Sequence, residues 1–108
     1  MAKYKLKYLF DWGSGVCVWT NNDAAHKLYG NYPVFTEQLP VSEELKKELN
    51  RLIRRHDEAL DWDYPPADLL WSGEEQMEFI AEAKSAYERL RFELGEDYCV
   101  ETHESWIL

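Results

Sequence analysis

The most informative absence in this sequence is positive charge over residues 57–83. That stretch holds nine of the chain's 21 aspartates and glutamates and not one lysine or arginine. The formal net charge of the 108 residues is −9. A nucleic-acid backbone or an anionic membrane surface would repel such a chain, so the expected partner is a basic protein and not a nucleic acid or a membrane.

Long hydrophobic runs are also missing. No stretch approaches the roughly 18 apolar residues of a membrane-spanning helix, and residues 1–15 lack the continuous apolar core of a signal peptide. We therefore expect a cytoplasmic protein. A chain of 108 residues can close one hydrophobic core without metal or disulfide support, which predicts a single domain over residues 1–108.

Cysteine and catalytic motifs are scarce. Cys17 and Cys99 form no CxxC pair, so two reduced core side chains are expected, and the spacing leaves open whether they are neighbours on adjacent strands. Ser14 lacks a nucleophile elbow, and its flanking glycines are not followed by the residues of a phosphate-binding loop. We expect no catalytic residue, cofactor or metal site, with an unrecognised carboxylate enzyme as an open alternative.

Three strands are predicted. Apolar residues alternate with Lys3, Lys5 and Lys7 over residues 3–10, which indicates a half-buried strand. The glycines at 13–15 predict a turn into a second strand around residues 16–19, and residues 97–103 predict the last strand. If the last strand lies beside the first, Glu101 would face the lysines across the sheet.

Three helices are predicted between these strands. Asn22 or Asp23 begins a short helix that ends at Gly30. Ser42 begins a long one, and residues 72–75 have capping-box spacing for another that ends at residue 95. The expected apolar positions are Leu45, Leu49, Leu52, Ile53, His56 and Leu60 on the second helix, and Met77, Ile80, Tyr87, Leu90 and Leu94 on the third.

The elements predict an α+β fold in the order β-β-α-α-α-β. We expect a small antiparallel or mixed sheet of about three strands, packed against two long helices and one short helix. His56 lies on an apolar helix face and is expected in the core, not as a metal ligand. The final residues 105–108, "SWIL", are expected to pack on the core.

The acidic residues lie where helix electrostatics disfavour them. Asp57 and Asp61 fall in the last turns of the second helix, where the dipole is already negative, and they repel each other as i, i+4 neighbours. Carboxylates beside tryptophan and tyrosine are typical of a surface that recognises a partner. The alternative is that the acidic residues only keep the protein soluble. The predicted partner-binding residues are Asp57, Asp61, Trp62, Asp63, Tyr64, Asp68, Trp71, Glu74, Glu75 and Glu78.

Three segments carry a resemblance: "YLFDWGSGVCVWTNNDAAHKLYG" at 8–30, "HDEALDWDYPP" at 56–66 and "LGEDYCVE" at 94–101. Through them the chain resembles a group of small, mostly uncharacterised acidic bacterial proteins, which implies a bacterial cytoplasmic protein of one compact domain and offers no catalytic residues to carry over. In size and composition it also looks like the immunity proteins of polymorphic toxin and contact-dependent inhibition systems.

Two function hypotheses follow. The first is a non-catalytic immunity-type inhibitor whose acidic, aromatic surface covers the basic active-site cleft of a nuclease-like toxin. The second is a cytoplasmic protein-interaction domain whose acidic surface serves only solubility. Neither hypothesis identifies the toxin or the oligomeric state.

Overall fold

The fold is α+β, as predicted, and its sheet has four strands instead of three. The computed structural model describes residues 2–107, except for the side chain of Glu104. A turn of 3-10 helix at Thr36–Gln38 precedes the first long helix. The elements are β1 Tyr4–Tyr8, β2 Val18–Thr20, α1 Asp23–Tyr29, β3 Pro33–Val34, α2 Glu43–Glu58, α3 Gly73–Leu94, β4 Tyr98–Thr102 and α4 Glu104–Ile107.

The sheet is mixed, with the strand order β3-β2-β1-β4. β1 pairs antiparallel with β2 and parallel with β4, so the first and last predicted strands are neighbours. The fourth strand, β3, is only two residues long and begins with Pro33. Its shortness left no alternating pattern to detect, and proline, which has no N–H to donate, suits an edge strand.

The lysines of β1 face outward, as the alternation predicts. Lys7 lies opposite Glu101 in the parallel pair. Glu101 accepts a hydrogen bond from the side chain of Asn21 at 3.3 Å, while the Lys7 ammonium lies 4.8 Å from the centre of the Tyr32 ring. Lys7 and Glu101 therefore lie on neighbouring strands as expected, but each side chain interacts with another residue: Glu101 with Asn21 and Lys7 with Tyr32.

The two cysteines lie on opposite sides of the central strand. Cys17 immediately precedes β2, whereas Cys99 is on β4, and β1 runs between these two strands. Both are free thiols, and complete burial raises the pKa of Cys17 to about 12. They are not neighbours on adjacent strands.

One hydrophobic cluster fills the space between the inner face of the sheet and the helices. Tyr8 crosses it and donates a hydrogen bond from its hydroxyl to the carbonyl of Ala83 on α3, at 2.9 Å. The predicted apolar stripe of α2 is buried, but Leu60 lies beyond the helix and is only partly buried. Met77, predicted on the apolar face of α3, is exposed instead, and Phe79 takes the core position.

The helix ends follow the predicted caps. Ser42 caps α2, and Ser72 with Glu75 forms the capping box of α3. Asn22 is the N-cap of α1. At the other end of the chain Ile107 is buried, which confirms the packing predicted for the tail as far as that residue; Leu108 lies outside the described residues. Within residues 2–107, no helix combines the length and apolar character required to cross a bilayer.

Asn22 provides a test of how α1 is attached to the sheet. Its side-chain oxygen accepts hydrogen bonds from the backbone N–H of Ala25 at 2.9 Å and of Lys5 at 3.2 Å, and its amide donates to the carbonyl of Lys3 at 3.1 Å. Because all three bonds are lost together, Asn22→Ala should lower the free energy of unfolding by about 2 kcal/mol in urea denaturation.

The neighbouring Asn21 is the matched control. Its side chain is exposed and makes one long hydrogen bond, so Asn21→Ala should change the free energy of unfolding by less than about 0.5 kcal/mol. Equal losses for the two variants would contradict the bracing role of Asn22.

Candidate functional site

The predicted acidic residues meet at one end of a helical hairpin. α2 and α3 are antiparallel: the backbone N–H of Ser42 donates to Glu93 at 2.7 Å at one end, and the N–H of Leu70 donates to the carbonyl of Ala59 at 2.8 Å at the other. The closed end carries the C-terminus of α2, the connecting loop and the N-terminus of α3. We call the surface of residues 57–78 the acidic corner; it has eight carboxylates and no lysine or arginine.

The connecting loop is ordered by its own side chains. An oxygen of Asp61 accepts the backbone N–H groups of Asp63 at 3.1 Å and Tyr64 at 3.2 Å. The carbonyl of Tyr64 then accepts the N–H of Ala67 at 2.9 Å. Asp61, predicted to contact a partner, therefore also stabilises the turn that carries Asp63 and Tyr64.

Two further predicted residues have backbone partners within the chain. Asp57 accepts the N–H of Gly13 on one side-chain oxygen at 3.0 Å. Glu75 accepts the N–H of Ser72 at 3.4 Å in the capping box of α3. Both side chains are partly buried, so part of their role is to bond the backbone of the acidic corner.

The other acids of the corner project into solvent. In the described part of the chain none of them forms an ion pair or a side-chain hydrogen bond, so their charge is available to a partner. Asp63, Asp68, Glu74 and Glu78 were predicted, and Glu58 is a further member.

Two of the three predicted aromatic anchors are exposed. Trp62 is 56% exposed and Tyr64 63%. Trp71 is only 7% exposed: its ring packs 5.0 Å from that of Phe79, and the Arg55 guanidinium lies 5.1 Å from the ring centre. Trp71 is thus buried beneath the corner in this structure, and Arg55 brings a cation beside it.

The loop between β1 and β2 forms a part of the site that sequence reasoning missed. The Trp12 indole N–H donates to the carbonyl of His56 at 2.7 Å, and its ring stacks on the imidazole at 4.4 Å. Asp11 is exposed and close enough to act on the titration of His56. The signal was present in the chain: an Asp-Trp pair occurs at 11–12 and again at 61–62.

His56 is a core residue, as predicted. It is 2% exposed and lies among aromatic rings, 5.4 Å from Phe10 and 5.6 Å from Phe79. Burial lowers its pKa to about 4, although Asp57 and Asp11 act in the opposite direction. The imidazole under the acidic corner is therefore neutral at physiological pH. Within residues 2–107, no three His, Cys, Asp or Glu side chains group as metal ligands would.

The lowered pKa of His56 predicts a pH-dependent stability. The unfolded chain binds a proton on this imidazole near pH 6.5 and the folded chain only near pH 4, so its contribution is complete above pH 6.5 and is lost as the pH falls towards 4. Between pH 7 and pH 5 the protein should lose about 2 kcal/mol more stability than His56→Phe, which keeps an aromatic ring there.

Urea denaturation of both proteins at the two pH values measures this difference. The carboxylates titrate alike in both, so they cancel in the comparison. If the two proteins lose equal stability between pH 7 and pH 5, the folded protein protonates His56 as readily as the unfolded chain does, and its pKa is not lowered.

Comparison with known proteins identifies a family. A model of the family described as "Serratia CdiI immunity protein-like" matches residues 4–105, from the start of β1 into α4. A search of curated proteins returned no match. The matched region includes the loop between β1 and β2 and the whole acidic corner. Because the match spans nearly the entire sequence, the chain belongs to the Serratia CdiI immunity protein-like family.

Proposed function

We propose that this protein neutralises a cognate toxin by covering the toxin's basic, nuclease-like active-site cleft with the acidic corner. Membership in an immunity-protein family supports a toxin as the partner. The observation that carries the proposed site is the group of exposed carboxylates, without cationic partners in the described chain, around two exposed aromatic rings. The protein acts by binding, without catalysis or a cofactor, in the cytoplasm.

The exposed carboxylates supply attraction and orientation. A cleft that binds nucleic acid presents cations where phosphates lie, and Asp63, Asp68 and Glu74 offer anionic oxygens to the same cations. Opposite charges also raise the rate of diffusional encounter. The same negative charge disfavours binding of the protein itself to nucleic acid or an anionic membrane.

The aromatic side chains supply the desolvated contacts. Trp62 and Tyr64 stand on a loop that the Asp61 side chain already orders, so little entropy is lost when a partner covers them. Leu70 is a further exposed apolar side chain of the acidic corner. Trp71 keeps the loop anchored to the core beneath.

A second candidate is an interaction domain for a host peptide or protein, with the acids serving solubility alone. The exposed Leu28 and Phe92 favour it, because they lie outside the acidic corner. In this case binding would depend on these residues and not on Trp62 or Asp63. The two functions therefore predict opposite mutational patterns.

Binding kinetics with a candidate toxin domain, sought among the genes next to the protein's own, test the proposal. Trp62→Ala should raise the dissociation rate about 30-fold, the effect of losing a hot spot of about 2 kcal/mol, with little change in the association rate. Asp63→Asn should mainly lower the association rate and flatten its dependence on salt.

Phe92→Ala is the matched control, since it removes an even more exposed aromatic ring from the C-terminal end of α3. It should leave both rates unchanged. If Phe92→Ala weakens binding as much as Trp62→Ala does, or if Trp62→Ala and Asp63→Asn change both rates equally, the acidic corner is not the binding surface.

A further inference from the structure

We propose that Asp57 is a positioning residue that holds the loop between β1 and β2 against the Trp62 indole, so that this ring is oriented before any partner arrives. The biological use of this arrangement rests on the proposed function, whereas the arrangement itself does not. It assigns Asp57 a role different from that of the exposed acids around it.

The first observation is that Trp62 is held at two points although it is largely exposed. Its indole N–H donates to the backbone carbonyl of Asp57 at 2.8 Å. Its six-membered ring lies against Gly13, where an added Cβ would be 3.4 Å from Cη2. A side chain longer than alanine that pointed towards the ring at position 13 would therefore displace the indole.

The second observation is that Gly13 itself is fixed by Asp57. Its N–H donates to the Asp57 side chain at 3.0 Å, and its φ of 80° is one that glycine adopts without strain. The preceding Trp12 donates to the carbonyl of His56 at 2.7 Å. Two consecutive residues of the loop are thus bonded to two consecutive residues at the end of α2.

The third observation is the electrostatic cost of this placement. Asp57 lies in the last turn of α2, where a carboxylate is disfavoured by the helix dipole. One of its oxygens is engaged by Gly13, and the side chain is partly buried, so it is poorly placed to meet a partner's cation. We therefore assign Asp57 the role of hydrogen-bond acceptor for Gly13, and not that of a charge presented to a partner.

Fixing the indole in advance lowers the conformational entropy that binding would otherwise cost. A tryptophan that is already held in one orientation can meet a partner's pocket without searching among rotamers. We therefore expect a loosened indole to shorten the lifetime of the complex more than it slows encounter.

Hydrogen exchange of the Trp62 indole N–H, followed by ¹⁵N NMR of the purified protein, tests the arrangement without a partner. Trp62→Phe assigns the signal. Asp57→Ala removes the acceptor for Gly13 and should speed the exchange about fivefold, the ratio expected for one hydrogen bond of ordinary net strength. Asp57→Asn keeps an acceptor oxygen and should preserve slow exchange.

Asp63→Ala is the control for charge, because it removes an exposed carboxylate from the same surface. It should leave the exchange unchanged. Asp57→Ala should remain folded, since it relieves an unfavourable charge at the end of α2, and its thermal unfolding transition checks this. Unchanged exchange in Asp57→Ala, or equally fast exchange in Asp57→Asn, would overturn the proposal.

The toxin domain then separates this proposal from the proposed function. Asp57→Ala should raise the dissociation rate, and Asp57→Asn should restore it to near the wild-type value. If the wild-type protein does not bind the toxin but the exchange pattern holds, the proposed function fails and the positioning role of Asp57 stands. If binding occurs and Asp57→Ala dissociates like wild type, the orientation of the indole does not serve binding, and that part of the proposal fails.

Discussion

The fold depends on β1, because most of the other elements are bonded to this strand or to the residues just beyond it. It pairs with β2 on one side and β4 on the other, and its Tyr8 hydroxyl reaches α3. The N–H of Lys5 bonds to the cap of α1, and that of Phe10 donates to Trp106 in α4 at 2.8 Å. Its alternating side chains make this possible, since the apolar ones all enter the core and leave the lysines to solvent.

The continuation of β1 also determines the shape of the acidic corner. Once Phe10 is packed against Phe79 and His56, the next residues of the chain must pass the end of α2. Trp12 and Gly13 then complete hydrogen bonds that the C-terminal end of a helix and its acidic side chains can accept. The surface proposed to bind a partner is therefore attached to the core at its base, while its outer acids and two aromatic rings are exposed to another molecule.

Signals within a few neighbouring residues were enough to predict most of the helices and strands. Caps at Asn22, Ser42 and Ser72, the glycine at the end of α1 and the alternation in β1 act over a few residues, so the chain alone displays them. β3 was missed because two residues carry no period. The burial of Trp71 and the approach of Arg55 were missed for another reason: both follow from how α2 packs on α3, and a count of charge along the chain does not include a cation from a neighbouring helix. The contacts of Trp12 and Gly13 with the end of α2 were missed for the same reason, because they join residues far apart in the sequence.

The uneven distribution of charge has a consequence for how the molecule moves. Residues 57–78 carry eight carboxylates without a lysine or arginine, and the rest of the chain is nearly neutral in sum. The protein is therefore an electric dipole with its negative pole at the closed end of the α2–α3 hairpin. In the field of a cationic body such a dipole experiences a torque as well as an attraction. At physiological ionic strength the torque is largely screened beyond about 8 Å, the Debye length, so most of the alignment takes place in the last stage of approach.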